Sequence, residues 1–139
     1  MKKVKWWMRI IGIFYLILTI MNLYGLYFNL DFIKQNLPSG LGNDDLAVQR
    51  FADAWLVFVY DLGATAMALL IGSFDPIKSK YLIVFVLLAE FFRGIVCDLT
   101  WINRGYDPKS YYLFILIHIV IISTGLFMLK KLDDHSVKG

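Results

Sequence analysis

Three ionisable residues interrupt the third apolar stretch of the chain. The segment LAEFFRGIVCDL, residues 88–99, carries Glu90, Arg93 and Asp98 among side chains that would otherwise be soluble in lipid. Glu90 and Arg93 are three residues apart, the spacing at which side chains of one helix meet, so we expect them to pair. A charge at the centre of a membrane helix costs roughly 2.5–3.5 kcal/mol on insertion scales. Such residues normally pair or face water, and they can anchor a ligand or transfer a proton.

Polar residues on the other apolar segments fall on faces that can converge on this stretch. At about 100° per residue, the second segment carries a stripe of small and polar residues around Asp61, opposite a stripe of large apolar ones. Small residues four apart let a neighbouring helix approach closely, so we expect Asp61 to face protein, beside Arg93. The first segment contributes Tyr15 and Asn22, and the fourth contributes His118.

The ligand-binding candidates are polar and aromatic residues expected to face this common interior: Tyr15, Asn22, Tyr60, Asp61, Glu90, Arg93, Asp98 and His118. We expect Glu90 and Asp61 to share Arg93, which leaves at least one carboxylate without full compensation. Asp98 lies outward of this group and has no partner on its own helix. Two interpretations stay open, a polar clamp that fixes the register of the helices or a site that holds a ligand or a proton.

No metal site or cofactor is predicted, and the catalytic residues, if the protein is an enzyme, are left open. The Glu-x-x-His pair of di-iron bundles is absent, since Arg93 stands where its histidine would be and its charge opposes a cation. Signatures of serine nucleophiles, phosphate loops and zinc sites are missing too. Cys97 is the single cysteine, which excludes a disulfide within the chain, and we expect a small packing residue there.

Long apolar runs must position these residues. The chain has 139 residues, is 59% hydrophobic and has a mean hydropathy of +0.63, well above the usual apolar share of soluble domains. Four runs, at about 7–29, 50–74, 81–102 and 111–129, approach the roughly 20 residues that cross a bilayer as a helix. Unpaired backbone is excluded from hydrocarbon, so we predict an all-α, single-domain membrane protein, an antiparallel four-helix bundle with a long outer loop at about 30–49.

The basic residues indicate an orientation. More of them fall beside the termini and the turn at 75–80 than beside the other loops, and the positive-inside rule therefore places both termini in the cytoplasm. Lys2, Lys3 and Lys5 before an apolar run also fit the start of a secretory signal. The run is longer than a signal core, however, and YGLYFNLDF lacks the small residues that signal peptidase needs, so we expect it to be retained. The net charge of +3 is not concentrated on a polar domain, so nucleic acid is not a predicted partner.

Three segments carry a family pattern: WWMRIIGIFYLILT near the start, FADAWLVFVYDLGATAMALL in the middle and AEFFRGIVCDLTWINRGY in the third run. The most specific piece is E-x-x-R-G-I-V-x-D followed by R-G-Y, which comprises Glu90, Arg93, Gly94, Asp98, Arg104, Gly105 and Tyr106. Over about residues 5–107 the chain resembles the BphX-like proteins, small bacterial four-helix membrane proteins, and more loosely the DoxX-like membrane proteins. The resemblance implies a multi-pass protein of the bacterial inner membrane and no particular catalytic residue.

Three functions are consistent with these patterns. The first is binding of a small apolar or amphipathic molecule in a polar pocket that opens outward between the second and third helices, with Glu90, Arg93 and Asp61 as anchors. The second is a membrane enzyme for acid/base chemistry on a lipid-like substrate, in which Glu90 or Asp61 donates a proton and Asp98 or His118 accepts it. The third is an accessory subunit of a transport or respiratory complex. The expected partners are the lipid bilayer and the ligand; a homo-oligomer or a membrane partner subunit is left open.

Overall fold

The fold is helical in every regular element of the described chain. The structure, a computed structural model, describes residues 1–35, 37, 38 and 40–136, and no strand occurs among them. All four apolar runs of the sequence are helical. The prediction of an all-α protein is therefore confirmed.

Four long helical rods follow the four apolar runs. The first two rods are α1 (Lys2–Phe28) and α3 (Asp45–Gly72). The third rod, residues 80–103, consists of α4 (Lys80–Ala89), a π-helical segment (Glu90–Val96) and α5 (Cys97–Asn103). The fourth rod is α6 (Pro108–Ser136). Each rod begins before its predicted first residue, and α6 also continues beyond its predicted last residue. The largest departure from the prediction is the π segment in the third rod.

Three of the helices are long and apolar enough to cross a membrane: Lys2–Phe28, Asp45–Gly72 and Pro108–Asp134. Among the described residues the third rod is not a fourth such helix, because it is divided into shorter segments and carries Lys80, Glu90, Arg93 and Asp98. Between 11% and 33% of the most apolar windows of the three helices is buried inside the protein. So much outward apolar surface is unusual for a soluble protein, and it indicates a membrane protein.

Short capped segments join the rods. The loop after α1 contains α2 (Asp31–Lys34) and a 3₁₀ turn (Leu41–Asn43). The Asp44 carboxylate then caps α3 by accepting backbone N–H groups at 3.0 and 3.2 Å. Before α6, Gly105 adopts a φ of 89°, which favours glycine, and Asp107 accepts hydrogen bonds from the backbone and hydroxyl of Ser110. These caps fix where α3 and α6 begin.

The main core lies around α1, towards its N-terminal end. α1 packs along α3 on one side and against α6 on another, while the third rod packs on α6. Fully buried apolar residues from α1, α3 and α4 meet there: Val4, Met8, Leu69, Ile83 and Val86. α3 and the third rod lie closest near the turn that joins them, and farther along they are bridged by long side chains.

α3 buries a different face from the one we predicted. Its buried residues include Val59, Leu62 and Leu69, whereas most of the predicted stripe around Asp61 is exposed and only Thr65 and Gly72 of it are buried. Asp61 pairs with Arg93 as predicted, but its side chain is 53% exposed, so the prediction that this stripe is covered by the other helices of the chain is wrong. The buried face of α3 also contains small residues, Ala52, Ala66 and Gly72, and Gly12 of α1 lies against Ala66, so close approach of the helices favours this face over the one that we predicted.

Candidate functional site

A chain of four polar side chains runs through the interior between α1, the third rod and α6. Tyr15 on α1 donates its hydroxyl hydrogen to Glu90 Oε1. Glu90 Oε2 lies 2.7 Å from His118 Nδ1, and Asp98 Oδ2 lies 3.5 Å from His118 Nε2. The Glu90 and Asp98 side chains are only 5% and 6% exposed. The imidazole of His118 therefore bridges two buried carboxylates of the same rod. We call these four residues the interior chain.

The π segment aligns the two carboxylates. Glu90 and Asp98 are eight residues apart, which on a straight α-helix would leave them about 80° apart around the axis. A π turn bonds residue i to i+5 and so contains one more residue than an α turn, which rotates the following residues back by up to about 100°. Glu90 is the first residue of the π segment and Asp98 follows its end. Both carboxylates thereby face His118 on α6.

Gly94 permits the close approach of the histidine. A Cβ atom built on Gly94 would lie 2.6 Å from His118 Cγ, inside the contact distance of any real side chain. The ring of His118 therefore packs against the backbone of the π segment. A glycine at this point of the Glu-x-x-Arg-Gly motif lets the imidazole reach between Glu90 and Asp98.

The two carboxylates are unequally satisfied. Each oxygen of Glu90 has a polar partner, and with Glu90 ionised both Tyr15 Oη and His118 Nδ1 donate to it, because a carboxylate only accepts. Asp98 Oδ2 is buried and has no hydrogen-bond partner among the described residues. Its 3.5 Å contact with His118 Nε2 is within ion-pair range but lacks hydrogen-bond geometry. A buried carboxylate oxygen without a hydrogen-bond donor is uncommon in a folded interior, so we expect a donor from outside the described residues.

A second polar group lies at the surface between α3 and the third rod. Arg93 Nη1 donates to Asp61 Oδ2, and the guanidinium also lies 5.1 Å from the centre of the Phe58 ring. The Arg93 side chain is 23% exposed, less than that of Asp61. We call this ion pair the lateral pair.

The predicted ion pair between Glu90 and Arg93 is wrong. Glu90 turns inward to Tyr15 and His118, whereas Arg93 reaches outward to Asp61. Two inward donors satisfy the Glu90 carboxylate, and the long Arg93 stem can cross to α3. Spacing within one helix shows which residues can meet, but the neighbouring helices decide which of them do.

The remaining candidates lie outside both groups. Asn22 Oδ1 accepts the indole N–H of Trp55 at 3.0 Å. Tyr60 and Tyr27 join their hydroxyls at 2.9 Å on the exposed surface. Tyr15, Glu90, Asp98 and His118 are thus brought together as predicted for a common interior, whereas Asn22 and Tyr60 are not part of it.

An aromatic layer lies beyond Asp98, and its central residue, Trp101, was not among the predicted site residues. Trp101, one helical turn after Asp98 on α5, has its ring centre 5.6 Å from that of Trp55 and 5.4 Å from that of Tyr111. The Tyr106 ring lies 6.0 Å from the same indole. The three-residue spacing between Asp98 and Trp101 was the available signal. The layer provides apolar and amphipathic surface one helical turn from Asp98.

The predicted polar pocket is filled by its own side chains, as the low exposure of Glu90 and Asp98 shows. A surface groove of about 550 Å³ lies elsewhere, near the N-terminus of α1, and is lined by Lys2, Lys3, Trp6, Trp7, Ile10 and Met128. In the described part of the chain, no group of three or more histidine, cysteine and acidic side chains is arranged to hold a metal ion. Glu90 and Asp98 lie on opposite nitrogens of His118, so the three do not converge on one point.

A comparison with known protein families supports the family pattern seen in the sequence. The family model of BphX-like proteins matches residues 1–134. The chain belongs to the BphX-like family. The resemblance seen in the sequence is thereby confirmed, and the match includes all four residues of the interior chain of this BphX-like protein. No curated protein and no solved structure matches the chain significantly.

Proposed function

We propose that this BphX-like protein is a single-domain, multi-pass protein of the bacterial inner membrane, with four membrane-crossing rods and both termini in the cytoplasm. The third rod supports the fourth crossing: at 1.5 Å per residue, residues 80–103 extend for roughly 36 Å, more than the roughly 30 Å of hydrocarbon. The orientation rests on the basic residues near the termini and the turn at 75–80.

Reporter fusions test this topology. A green fluorescent protein fused after residue 139 is expected to fluoresce, because it folds in the cytoplasm, and alkaline phosphatase fused there is expected to be inactive. The same reporters inserted at Gly105 are expected to give the opposite result. An active phosphatase at the C-terminus would overturn the orientation.

Within this membrane domain, we propose that the interior site binds the polar head of a small amphipathic molecule. The observation that carries this function is Asp98 Oδ2, a buried acceptor without a hydrogen-bond donor. A ligand with a hydroxyl or amine would donate to this oxygen, and its apolar part would lie against the aromatic layer around Trp101. Because the interior is filled by its own side chains, such a ligand enters by displacing those that bridge α3 and the third rod, such as Trp55 and Trp101.

Matched naphthalene probes test the binding function. We expect 1-naphthol, which carries a donor, to raise the melting temperature of the protein in detergent, and 1-methoxynaphthalene, which lacks one, to leave it unchanged. Asp98→Leu removes the acceptor and is expected to abolish the response. Asp53→Leu removes an exposed carboxylate on α3 and is expected to retain it.

Two outcomes would refute this use of Asp98. One is an equal response to both probes, which would show that the donor is irrelevant. The other is an undiminished response of Asp98→Leu to 1-naphthol, which would leave a buried water as the partner of the oxygen.

A second function, acid/base chemistry on a lipid-like substrate, is favoured by the bridging position of His118. A ring with one nitrogen towards Glu90 and the other towards Asp98 can accept a proton on one side and release one on the other. Hydrogen–deuterium exchange at the carbons beside the carbonyl of 2-tetralone measures such chemistry. Wild-type protein in nanodiscs is expected to accelerate the exchange by about 10²–10⁴-fold, and His118→Gln to lose the effect. A rate equal to that of empty nanodiscs would remove this function.

A further inference from the structure

Apart from the contact of Asp61 with Arg93, one face of α3 is left uncovered by the described part of the chain. Its exposed residues recur at alternating spacings of three and four: Ala54, Val57, Asp61, Ala64, Ala68 and Ile71. This spacing forms a continuous seam along a helix. Ala64 and Ala68 leave a shallow trough in which the backbone of another helix can come close. We call this surface the α3 seam.

The lateral pair lies in the middle of the α3 seam. Asp61 is near the centre of the 28-residue helix, and its carboxylate is half exposed even though it binds Arg93. In a membrane-crossing α3, that exposed half faces the hydrocarbon layer. Lipid tails offer neither a donor for the free carboxylate oxygen nor an acceptor for the remaining guanidinium N–H groups, so a covering protein surface is favoured.

The charges of the seam fit a second copy of the chain. Asp61 and Arg93 are opposite in sign and adjacent, so the surface is complementary to itself. A two-fold axis along the membrane normal keeps both copies in the same orientation and lays one α3 against the other. Each Asp61 then lies near the guanidinium of either copy, and two carboxylates and two guanidinium groups form a neutral cluster closed off from lipid.

We propose that the α3 seam is a homodimer interface, in which Ala64 and Ala68 provide the close contact and the lateral pairs of the two copies join. This interface rests on the membrane placement above and is independent of the ligand site at Asp98. Dimerisation covers the polar groups of Asp61 and Arg93 that the chain itself leaves open. The α6 surface around Leu116, which is also exposed, carries no such charges and stays in contact with lipid.

Disulfide cross-linking in liposomes tests the interface. In a Cys97→Ser background, single cysteines are placed at Ala64, at Ala68 and, as the control, at Leu116. We expect oxidation to yield cross-linked dimers at Ala64 and Ala68 at least about ten-fold faster than at Leu116, because only the first two face their copies across the axis. Equal rates at all three positions would reflect random collision and would overturn the interface.

A second measurement uses variants that leave the buried core unchanged. Ala64→Phe adds bulk to the seam, and Leu116→Phe adds an aromatic ring to the control surface. Single-molecule photobleaching in vesicles of dilute protein is expected to show dimers for wild type and Leu116→Phe, and a dimer dissociation constant raised at least about ten-fold for Ala64→Phe. A wild-type protein that is monomeric at every density, with Asp61 open to dicyclohexylcarbodiimide from the lipid phase, would show that lipid covers the pair and would refute the proposal.

Discussion

The interior chain and the lateral pair both place acids in the apolar part of the protein, but they enclose them differently. Glu90 is 5% exposed and contacts Tyr15 and His118 from two other helices. Asp61 is 53% exposed and is paired with Arg93 alone. The enclosed group has its polar contacts within one chain, whereas the open group still presents charge to its surroundings. This difference supports the proposed internal site for the first group and the proposed interface for the second.

A second contrast lies within the interior chain itself. Both carboxylates are buried to the same extent, yet Glu90 uses both oxygens and Asp98 leaves one without a donor. A group that only holds helices together is expected to be fully satisfied, because an unpaired buried acceptor costs free energy. Glu90 therefore has the features of a structural anchor, and the unsatisfied oxygen of Asp98 supports the proposed ligand contact.

The largest effect is expected from removing Glu90. Glu90→Ala leaves the Tyr15 hydroxyl and His118 Nδ1 without their acceptor in a buried position, and is expected to lower the free energy of unfolding by about 3–5 kcal/mol. Denaturant titration in detergent micelles measures this change. The matched variant Asp53→Ala removes an exposed carboxylate on α3 and should cost far less. If Glu90→Ala and Asp53→Ala lowered the free energy of unfolding equally, the buried contacts of Glu90 would not stabilise the protein more than an exposed carboxylate does.

A smaller effect is expected from Gly94→Ala. The added methyl would collide with the rigid His118 ring, and overpacking of this kind costs about 1–3 kcal/mol. Gly63→Ala is the control, since its Cβ would lie 3.0 Å from a single methyl of Thr19, and it should cost less. NMR signals of the His118 ring should also shift in Gly94→Ala. An unchanged histidine spectrum would show that this glycine does not position the ring.

Variants of the lateral pair are expected to lower the free energy of unfolding by less than variants of Glu90 and Gly94. Asp61→Ala or Arg93→Ala alone leaves one charge unpaired and is expected to lower the free energy of unfolding by about 1–2 kcal/mol, less than for a fully buried charge because the pair is partly exposed. The double variant should cost less than the sum of the two, as a double-mutant cycle measures. Additive costs would mean that the pair contributes no interaction.

The smallest effect is expected at Asp107, which lies outside both groups and caps α6. Hydrogen bonds from the hydroxyl and backbone of Ser110 hold the pKa of Asp107 below its ordinary value of 3.8. A lowered pKa in the folded state adds stability above pH 3.8, and this stability is lost as the pH falls through the folded-state value. Asp107→Ala should therefore melt slightly below wild type at pH 7 and converge with it in acid. A difference that stays constant with pH would exclude the carboxylate as the cause.

The helical elements of the fold were predictable, and their limits less so. Each apolar run is long enough to favour a helix whatever its neighbours are. The continuation of α6 through the polar segment after residue 129 is harder to predict. It is favoured because lysine and leucine in this segment are good helix formers. The π segment could not be predicted, because an interpretation based on 3.6 residues per turn assumes that no residue is inserted.

The members of the site were easier to predict than their partners. Glu90, Arg93 and Asp98 could be identified because they are charged residues inside an apolar run, and His118 because it is a polar residue on α6. The partners depended on the contacts between helices. Because the π segment turns Asp98 towards His118, the residue that has no partner on its own helix joins the interior chain.

The central claim is that Asp98 accepts a hydrogen bond from a bound amphipathic molecule. An experimental structure of the protein in a lipid nanodisc, at a resolution that shows ordered water, tests it most directly. We expect density larger than a water, with a polar atom about 3 Å from Asp98 Oδ2 and an apolar part against the layer around Trp101. A single water that bridges Asp98 and His118, with the aromatic layer closed above it, would contradict the claim.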